Sequence, residues 1–304
     1  MSSSIDVVNA GALALREVHG KYHNLPEKAA SPFALSRTAP YFGFVDVQIS
    51  DCPQFVMFSN NDDFVAKNYF WNGADAYEPM SLKLWLALAK SSAFVFDIGS
   101  YTGVYSLAAA RQNRKCKIFA FEALDTVYGR LLINKFANGL GNIEVHHLAV
   151  SDKEGLAEFN VYAGDSVLST GSTLVEKHTG RSVFQKKQVR TARLDDLLDE
   201  LNVPRLDLMK IDAEGAEHLI FKGGQEVIQK NSPDIICEFL KGAQSEEIES
   251  TLSGMGYGYF RIDEQKMSVE PVAGIAVGET MDTLNTLITR KSLEQIHHLL
   301  MGKA

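Results

Sequence analysis

Phe94–Ser106 reads FVFDIGSYTGVYS. Phe94, Val95 and Phe96 form a short continuous apolar run, the pattern of a strand buried on both faces, and Asp97 stands where that strand should end. Gly99 and Gly103 follow with three residues between them, and Val104, Leu107 and Ala108 then recur at helical spacing. Strand, acid, glycine turn and helix in this order describe the first crossover of a nucleotide-binding α/β sheet.

Glycine suits such a turn because a Cβ would forbid it or block a ligand approaching the backbone. A dinucleotide site would carry G-x-G-x-x-G, with the pyrophosphate on the helix N-terminus. The pattern here is D-x-G-x-x-x-G, an acid ahead of the loop and no clustered glycines. It suits a ligand with a cationic amino-acid end and no phosphates, such as S-adenosylmethionine (SAM).

Ahead of this stretch, Leu82, Trp85, Leu86 and Ala89 fall at i, i+3, i+4 and i+7, an amphipathic helix covering one edge of the sheet. Tyr77 and Glu78 just before it either reach the cofactor mouth or serve as a plain helix start. Further back, VDVQIS and QFVMFS predict two strands between Val45 and Phe58. Val7–Val18 suggests one helix, and Pro26, Pro32 and Pro40 punctuate an irregular arm. This front section packs on the core, caps the cofactor or mediates dimerisation, and the residues do not choose among these.

Beyond it, KIFAF (Lys117–Phe121) predicts a second buried strand ending at Glu122, one βαβ step from Asp97. An acid there accepts hydrogen bonds from ribose hydroxyls in nucleotide-binding sheets. IEVHHLAV (Ile143–Val150) predicts a third strand closed by Ser151 and Asp152, a hydroxyl and an acid placed to meet an adenine amino group. His146 and His147 lie inside it and read as core or interface residues. After a strand over Glu158–Tyr162, residues 163–188 are rich in Gly, Ser and Thr and predict a long lid or binding loop. Lys177, Arg181, Lys186, Lys187 and Arg190 make a basic run there, either a solvated hairpin or a guide for an anionic, nucleotide-linked acceptor.

LDLMKIDAEGAE (Leu206–Glu217) is the second informative stretch. Its strand runs to Ile211, and Asp212 and Glu214 then stand at the carboxyl edge where such sheets bind ligands. His218 lies one helical turn beyond Glu214 and is expected to share its face. DIICEFL (Asp234–Leu240) adds a strand with Glu238 near its end, Tyr257–Ile262 and Leu284–Thr289 read as closing strands, and Ser292–Met301 reads as a terminal helix.

Composition bounds the reading. The chain has 304 residues, 45% of them hydrophobic, and a net charge of -8, so a sizeable core is available and a nucleic-acid-binding surface is disfavoured. Cys52, Cys116 and Cys237 are isolated, without a C-x-x-C pair, which indicates neither a zinc site nor a disulfide framework. There is no basic segment ahead of an apolar core at the N-terminus and no membrane-spanning run, so a soluble cytoplasmic protein is expected.

Taken together, YEP at Tyr77, FDIGSYTGVYS at Phe96, FEA at Phe121, LAVSD at Leu148, ARLDDLL at Ala192, DLMKIDAEGAE at Asp207 and ICEF at Ile236 resemble the FkbM-type family of SAM-dependent methyltransferases. The resemblance spans Tyr77–Arg290, and KIDAEGAE is its distinctive element. It implies an α/β, doubly wound, mostly parallel seven-stranded class I methyltransferase sheet, Rossmann-like, with a terminal antiparallel strand. It divides the chain into an N-terminal extension (1–75), a methyltransferase domain (76–290) and a C-terminal helix (291–304).

The resemblance also implies O-methylation of a sugar, glycan or polyketide-type hydroxyl, with S-adenosylhomocysteine as product. By position, Asp97, Gly99 and Gly103 would hold the methionine end of SAM, Glu122 the ribose, and Ser151 with Asp152 the adenine. Glu78, Ser100, Tyr101, Thr102 and Asp212 complete the candidate cofactor-binding set. Removing the hydroxyl proton asks for a carboxylate or histidine, and Asp212, Glu214 and His218 are the candidates, Asp212 first. A divalent ion held at these carboxylates would be an alternative aid, but no cluster has metal-ligand spacing and no metal is assigned. A non-catalytic scaffold and an NAD-dependent oxidoreductase are the competing readings, with a nucleic-acid methyltransferase weaker still; a homodimer is open.

Overall fold

The computed structural model describes residues 3–22, 31–162, 168, 172–175, 183–275, 277–278 and 280–302. α1 (Ser4–Tyr22), α2 (Pro32–Thr38), the hairpin β1 (Phe42–Val47) and β2 (Phe55–Asn60), α3 (Phe64–Asn72) and α4 (Pro79–Ala89) precede the sheet. The α/β part contains β3 (Phe94–Ile98), α5 (Val104–Gln112), β4 (Lys117–Glu122), α6 (Asp125–Ala137), β5 (Ile143–His147), β6 (Ala149–Ser151), β7 (Gly155–Tyr162), β8 (Val183–Arg193) and α7 (Leu194–Glu200). It continues through β9 (Leu208–Ile211), α8 (Glu217–Gly223), α9 (Gln225–Asn231), β10 (Asp234–Glu238), α10 (Ser245–Leu252), β11 (Gly258–Asp263), β12 (Ser268–Val272), β13 (Asn285–Thr289) and α11 (Leu293–Leu300). Among the described residues no helix is long and apolar enough to cross a membrane.

The main sheet runs β12-β11-β13-β10-β9-β3-β4-β5. From β10 to β5 every pairing is parallel, and β13 lies antiparallel between β10 and β11. Eight strands stand where seven are expected, because β12 turns back antiparallel on β11 at the edge. Alternation along each strand explains the double winding. Val95, Ile118, Ala120, Leu208 and Ile236 point into a core shared with α4 and α5. Phe96, Ile98, Phe119, Phe121, Met209, Ile211 and Cys237 point the other way, under α7, α8, α9 and α10.

Several local expectations change. Ile143–Val150 is not one strand: β5 ends at His147 on the sheet edge, and β6 joins a separate sheet of order β6-β8-β7. Part of the expected loop at 163–188 is strand, because β8 pairs with β7 from Val183 onward; most of the remainder, with Lys177 and Arg181, lies outside the described residues. Pro32 does not break the chain but sits in the first turn of α2, where its missing N–H costs nothing, behind Ser31 as N-cap. α4 is buried nearly all round instead of on one stripe, since α11 packs on it as well as α5. Its Trp85 is fully buried and donates to the Tyr105 carbonyl at 2.9 Å.

The front section is tied to the sheet through α6. Val45, Val47, Phe55, Met57 and Tyr69 belong to the same hydrophobic cluster as Val95 and Ile118. The Phe58 N–H donates to Asn134 at 2.7 Å, and Asn138 accepts from the Val56 N–H and donates to its carbonyl. Arg130 makes a two-pronged ion pair with Asp62 at 2.8 and 3.1 Å and reaches the Phe58 carbonyl at 3.1 Å. Such a pair holds only while both members are present, since either alone is an uncompensated buried charge.

Candidate active site

A cavity of about 620 Å³ opens at the carboxyl ends of β3, β4, β9 and β10, within the usual range for a small-molecule site. One part is formed by Gly99, Tyr101, Glu122 to Leu124, Val127, Leu148 to Val150, Phe159 and Tyr162. The other is walled by Phe33, Phe64, Val65, Tyr77, Leu174, Leu240 and Met281. Glu78, Asp212, Glu214 and Glu238 lie between apolar neighbours on this lining. No Lys, Arg or His is among the described lining residues.

The loop after β3 is fixed from both sides. Gly99 and Ser100 donate to the Phe121 carbonyl, each at 3.0 Å. Gly99 has φ +74, and a Cβ on it would stand 1.8 Å from the Asp212 carbonyl oxygen; Gly103, at φ +98, would meet Leu131 at 2.2 Å. The chain's own close packing therefore requires glycine at both positions, and Gly99 also lines the cavity. Glu122 accepts from the Tyr101 N–H at 3.1 Å and the Leu124 N–H at 2.8 Å. Burial pushes its carboxyl up to about 7. Asp97 lies beneath the loop, accepting from Ser106 at 2.6 Å, and burial raises it to about 6.

The KIDAEGAE segment divides its labour. Asp212 is held by its N–H to the Ile98 carbonyl at 3.0 Å. Glu214 and Gly215 both adopt positive φ, 56° and 98°. Glu217 closes the turn behind them, accepting from the Ala213 N–H at 3.1 Å and the Gly215 N–H at 2.9 Å. The turn aims Asp212 and Glu214 into the cavity, and Glu238 meets them from β10: oxygens of the three carboxylates lie within 4.8 Å of one another. Burial first, and then Asp212 and Glu214 beside it, hold the Glu238 carboxyl well above its usual range.

Lys210 sits under this group. It is 1% exposed, its Nζ lies 3.7 Å from Asp212 Oδ2 and 5.1 Å from the centre of the Tyr105 ring. Burial alone would favour its neutral form, but Asp212, Glu78 and Glu238 outweigh that and raise it. Glu78 accepts from the Tyr105 hydroxyl.

Among the expected residues, Glu78, Gly99, Tyr101, Glu122, Asp212 and Glu214 line the cavity, whereas Asp97, Ser100, Thr102, Gly103, Ser151, Asp152 and His218 are not among its described lining. Ser151, at the end of β6, and Asp152 lie against α8: a Cβ on Gly223 would meet the Ser151 carbonyl, and Asp152 pairs with Lys222 at 3.0 Å. Leu148, Ala149 and Val150 face the cavity in their place. His218 fails to share Glu214's face because the left-handed turn at Glu214 and Gly215 interrupts the helical spacing before α8. Its Nε2 instead lies 3.2 Å from Gln244. Lys186 and Lys187 of the basic run pair with Glu158 and Asp125, each at 2.6 Å. His146 stacks on Phe121, and His147 reaches the Ala123 carbonyl at 3.0 Å, structural roles for both.

In the sequence Glu238 stands only as a strand-end acid with no site role, and Lys210, Phe33 and Phe64 are not singled out. Lys210 did carry a signal, a cation inside an otherwise apolar parallel strand. Phe33 and Phe64 carried none, because only folding brings α2 and α3 to the cavity.

Residues 97–259 match the Methyltransferase FkbM domain family. "Methyltransferase sdnD" of Sordaria araneosa is 27% identical over 58% of this chain and 78% of its own length. "2-O-methyltransferase NoeI" of Sinorhizobium fredii is 26% identical over 47% of this chain and 62% of its own. "AMB antimetabolite synthetase AmbE" of Pseudomonas aeruginosa is 25% identical over 48% of this chain, a match spanning only 8% of the synthetase. The crystal structure of an FkbM methyltransferase from Methylobacillus flagellatus KT aligns with a TM-score of 0.42 at 14% identity, over 65% of this chain and 43% of that one.

Proposed function

This chain belongs to the FkbM methyltransferase family, and we propose that it transfers the methyl group of SAM to a hydroxyl of a small, uncharged or amine-bearing acceptor. The observation that carries this reading is the carboxylate group Asp212, Glu214 and Glu238, set between the loop after β3 and an aromatic wall. The cofactor would lie along Gly99, Tyr101 and Glu122, with Glu122 taking the ribose hydroxyls and Leu148 to Val150 bordering the adenine. The fit rests on chemistry: SAM is cationic and the described lining offers carboxylates and no cation.

Bound SAM supplies a methyl group already activated on a sulfonium. The chain's residues then have two tasks. Phe33, Phe64, Tyr77 and Met281 hold the acceptor so that its oxygen faces the methyl carbon, chiefly a proximity effect. Asp212 takes the hydroxyl proton as the oxygen–carbon bond forms, and the carbon–sulfur bond pair stays on sulfur. The described lining offers an anionic or nucleotide-linked acceptor no cation. NoeI, whose name specifies O-methylation, agrees with the oxygen as acceptor.

Methyl-labelled SAM offered with neutral sugars, polyketide alcohols, amines and sugar phosphates tests the reading. Label on oxygen of an uncharged or amine-bearing acceptor is expected. Label confined to nitrogen, or to phosphorylated acceptors, would overturn it.

A further inference from the structure

Three carboxyl groups this close cannot all be ionised without repelling one another, so their protons and countercharges must be distributed in a definite way. One buried side chain bears directly on that distribution. Lys210 is a registered neighbour of Asp97 across β9 and β3, its ammonium has no hydrogen-bond partner, and its closest carboxylate is Asp212 at 3.7 Å. A long cationic side chain at 1% exposure is costly in a strand whose other residues are apolar. An apolar residue would fill the position at no such cost, so packing does not explain it.

We propose that Lys210 is a positioning residue: its buried ammonium keeps Asp212 as the carboxylate that faces the transferring methyl, while Glu238 carries the proton and donates it in a hydrogen bond to Asp212. This rests on the methyl-transfer reading above and assigns a charge state to its base. The geometry distinguishes the two acids. Asp212 lies within ion-pair reach of Lys210 at 3.7 Å, whereas Glu238, buried at 8% exposure, has carboxylate oxygens of Asp212 and Glu214 within 4.8 Å. Other titratable groups facing the pair are Asp97 on β3, Tyr77 and Glu78 before α4, Glu217 on α8 and Cys237 on β10. All are acids or weak acids, so among these described groups Lys210 is the cation on which the arrangement depends.

The arrangement can be read without knowing the acceptor. Sinefungin is a SAM analogue carrying an ammonium where SAM has its methyl, so its affinity relative to S-adenosylhomocysteine reports a carboxylate at that point. Calorimetric titration of both ligands at neutral pH, below the range where a side-chain amine discharges, gives the ammonium preference directly. In the wild type the preference is expected to be tenfold or more at neutral pH. In Lys210→Met the preference should fall to about threefold or less, because Asp212 loses the buried ammonium 3.7 Å away that holds it, and Lys210→Arg should restore it.

An ammonium preference unchanged in Lys210→Met would leave the lysine a structural role only and overturn the proposal. Glu238→Gln keeps a hydrogen-bond donor to Asp212 and should retain the preference even if Lys210→Met proves unfolded. Loss of the preference in Glu238→Gln would place the charge on Glu238 and refute the assignment. Absence of S-adenosylhomocysteine binding in the wild type would be a different failure, that of the cofactor reading itself.

Discussion

Glu217 makes the electrostatics of the site measurable in the stability of the whole protein. The residue is 1% exposed, and its carboxyl, which closes the Asp212–Gly215 turn, is pushed by burial from 4.5 up to about 7, with Asp212 and Glu214 adding to the effect. A carboxyl raised in this way binds its proton more tightly folded than unfolded. Its contribution is therefore fully present below about pH 4.5 and is lost as pH rises through about 7. The gap between 4.5 and about 7, at about 1.4 kcal/mol per pH unit, corresponds to about 3 kcal/mol. Glu217→Gln imitates the protonated acid: its amide oxygen still accepts from Ala213 and Gly215, and nothing remains to ionise. Urea denaturation of both proteins at about pH 4.5 and 8 should find them nearly equal at the lower pH and the variant more stable by about 3 kcal/mol at the higher. Glu122 and Asp97, which are also raised, titrate in both proteins and cancel in the difference. Parallel stability profiles, or a variant weaker at the higher pH, would refute the reasoning.

Asp62→Ala strands Arg130 in the joint between β2 and α6 and should cost about 3–5 kcal/mol in urea denaturation; a loss below about 1 kcal/mol, typical of an exposed pair, would mean that the joint is wet. Gly99→Ala places a Cβ 1.8 Å from the Asp212 carbonyl, so S-adenosylhomocysteine binding should vanish and the melting temperature fall; wild-type behaviour would show that the two loops part easily. Once an acceptor is identified, Phe33→Ala should raise its KM and leave S-adenosylhomocysteine affinity nearly unchanged. The converse result would move the aromatic wall to the cofactor.

Local patterns carried far where a residue's role depends on its own strand or turn. Glu122, Asp212 and Glu238 were recognisable as strand-end acids, because a buried parallel strand announces itself as an apolar run; Asp97, also read as a strand end, lies inside β3, which runs on to Ile98. What was not legible depends on pairs of segments. The glycines at 99 and 103 read as a ligand cradle, yet their neighbours are Asp212 and Leu131, residues a long way along the chain. Ser151 and Asp152 stood after an apparently continuous strand, and the break at Leu148 that takes them to α8 has no proline or glycine to mark it. His218 was placed by helical spacing across residues that are not helical. Phe33 and Phe64 reach the cavity only because Asn134, Asn138 and Arg130 hold the front section against α6.

The cavity at the strand ends is proposed to bind the methyl donor through Glu122. The most direct measurement is isothermal titration of SAM and S-adenosylhomocysteine into the wild type and Glu122→Ala, with circular dichroism to establish that both are folded. Saturable binding of both ligands to the wild type is expected, weakened by about 10- to 100-fold in the variant, the size of a lost hydrogen bond to a charged group. A folded wild type that binds neither ligand, or a variant that binds both equally well, would contradict the account.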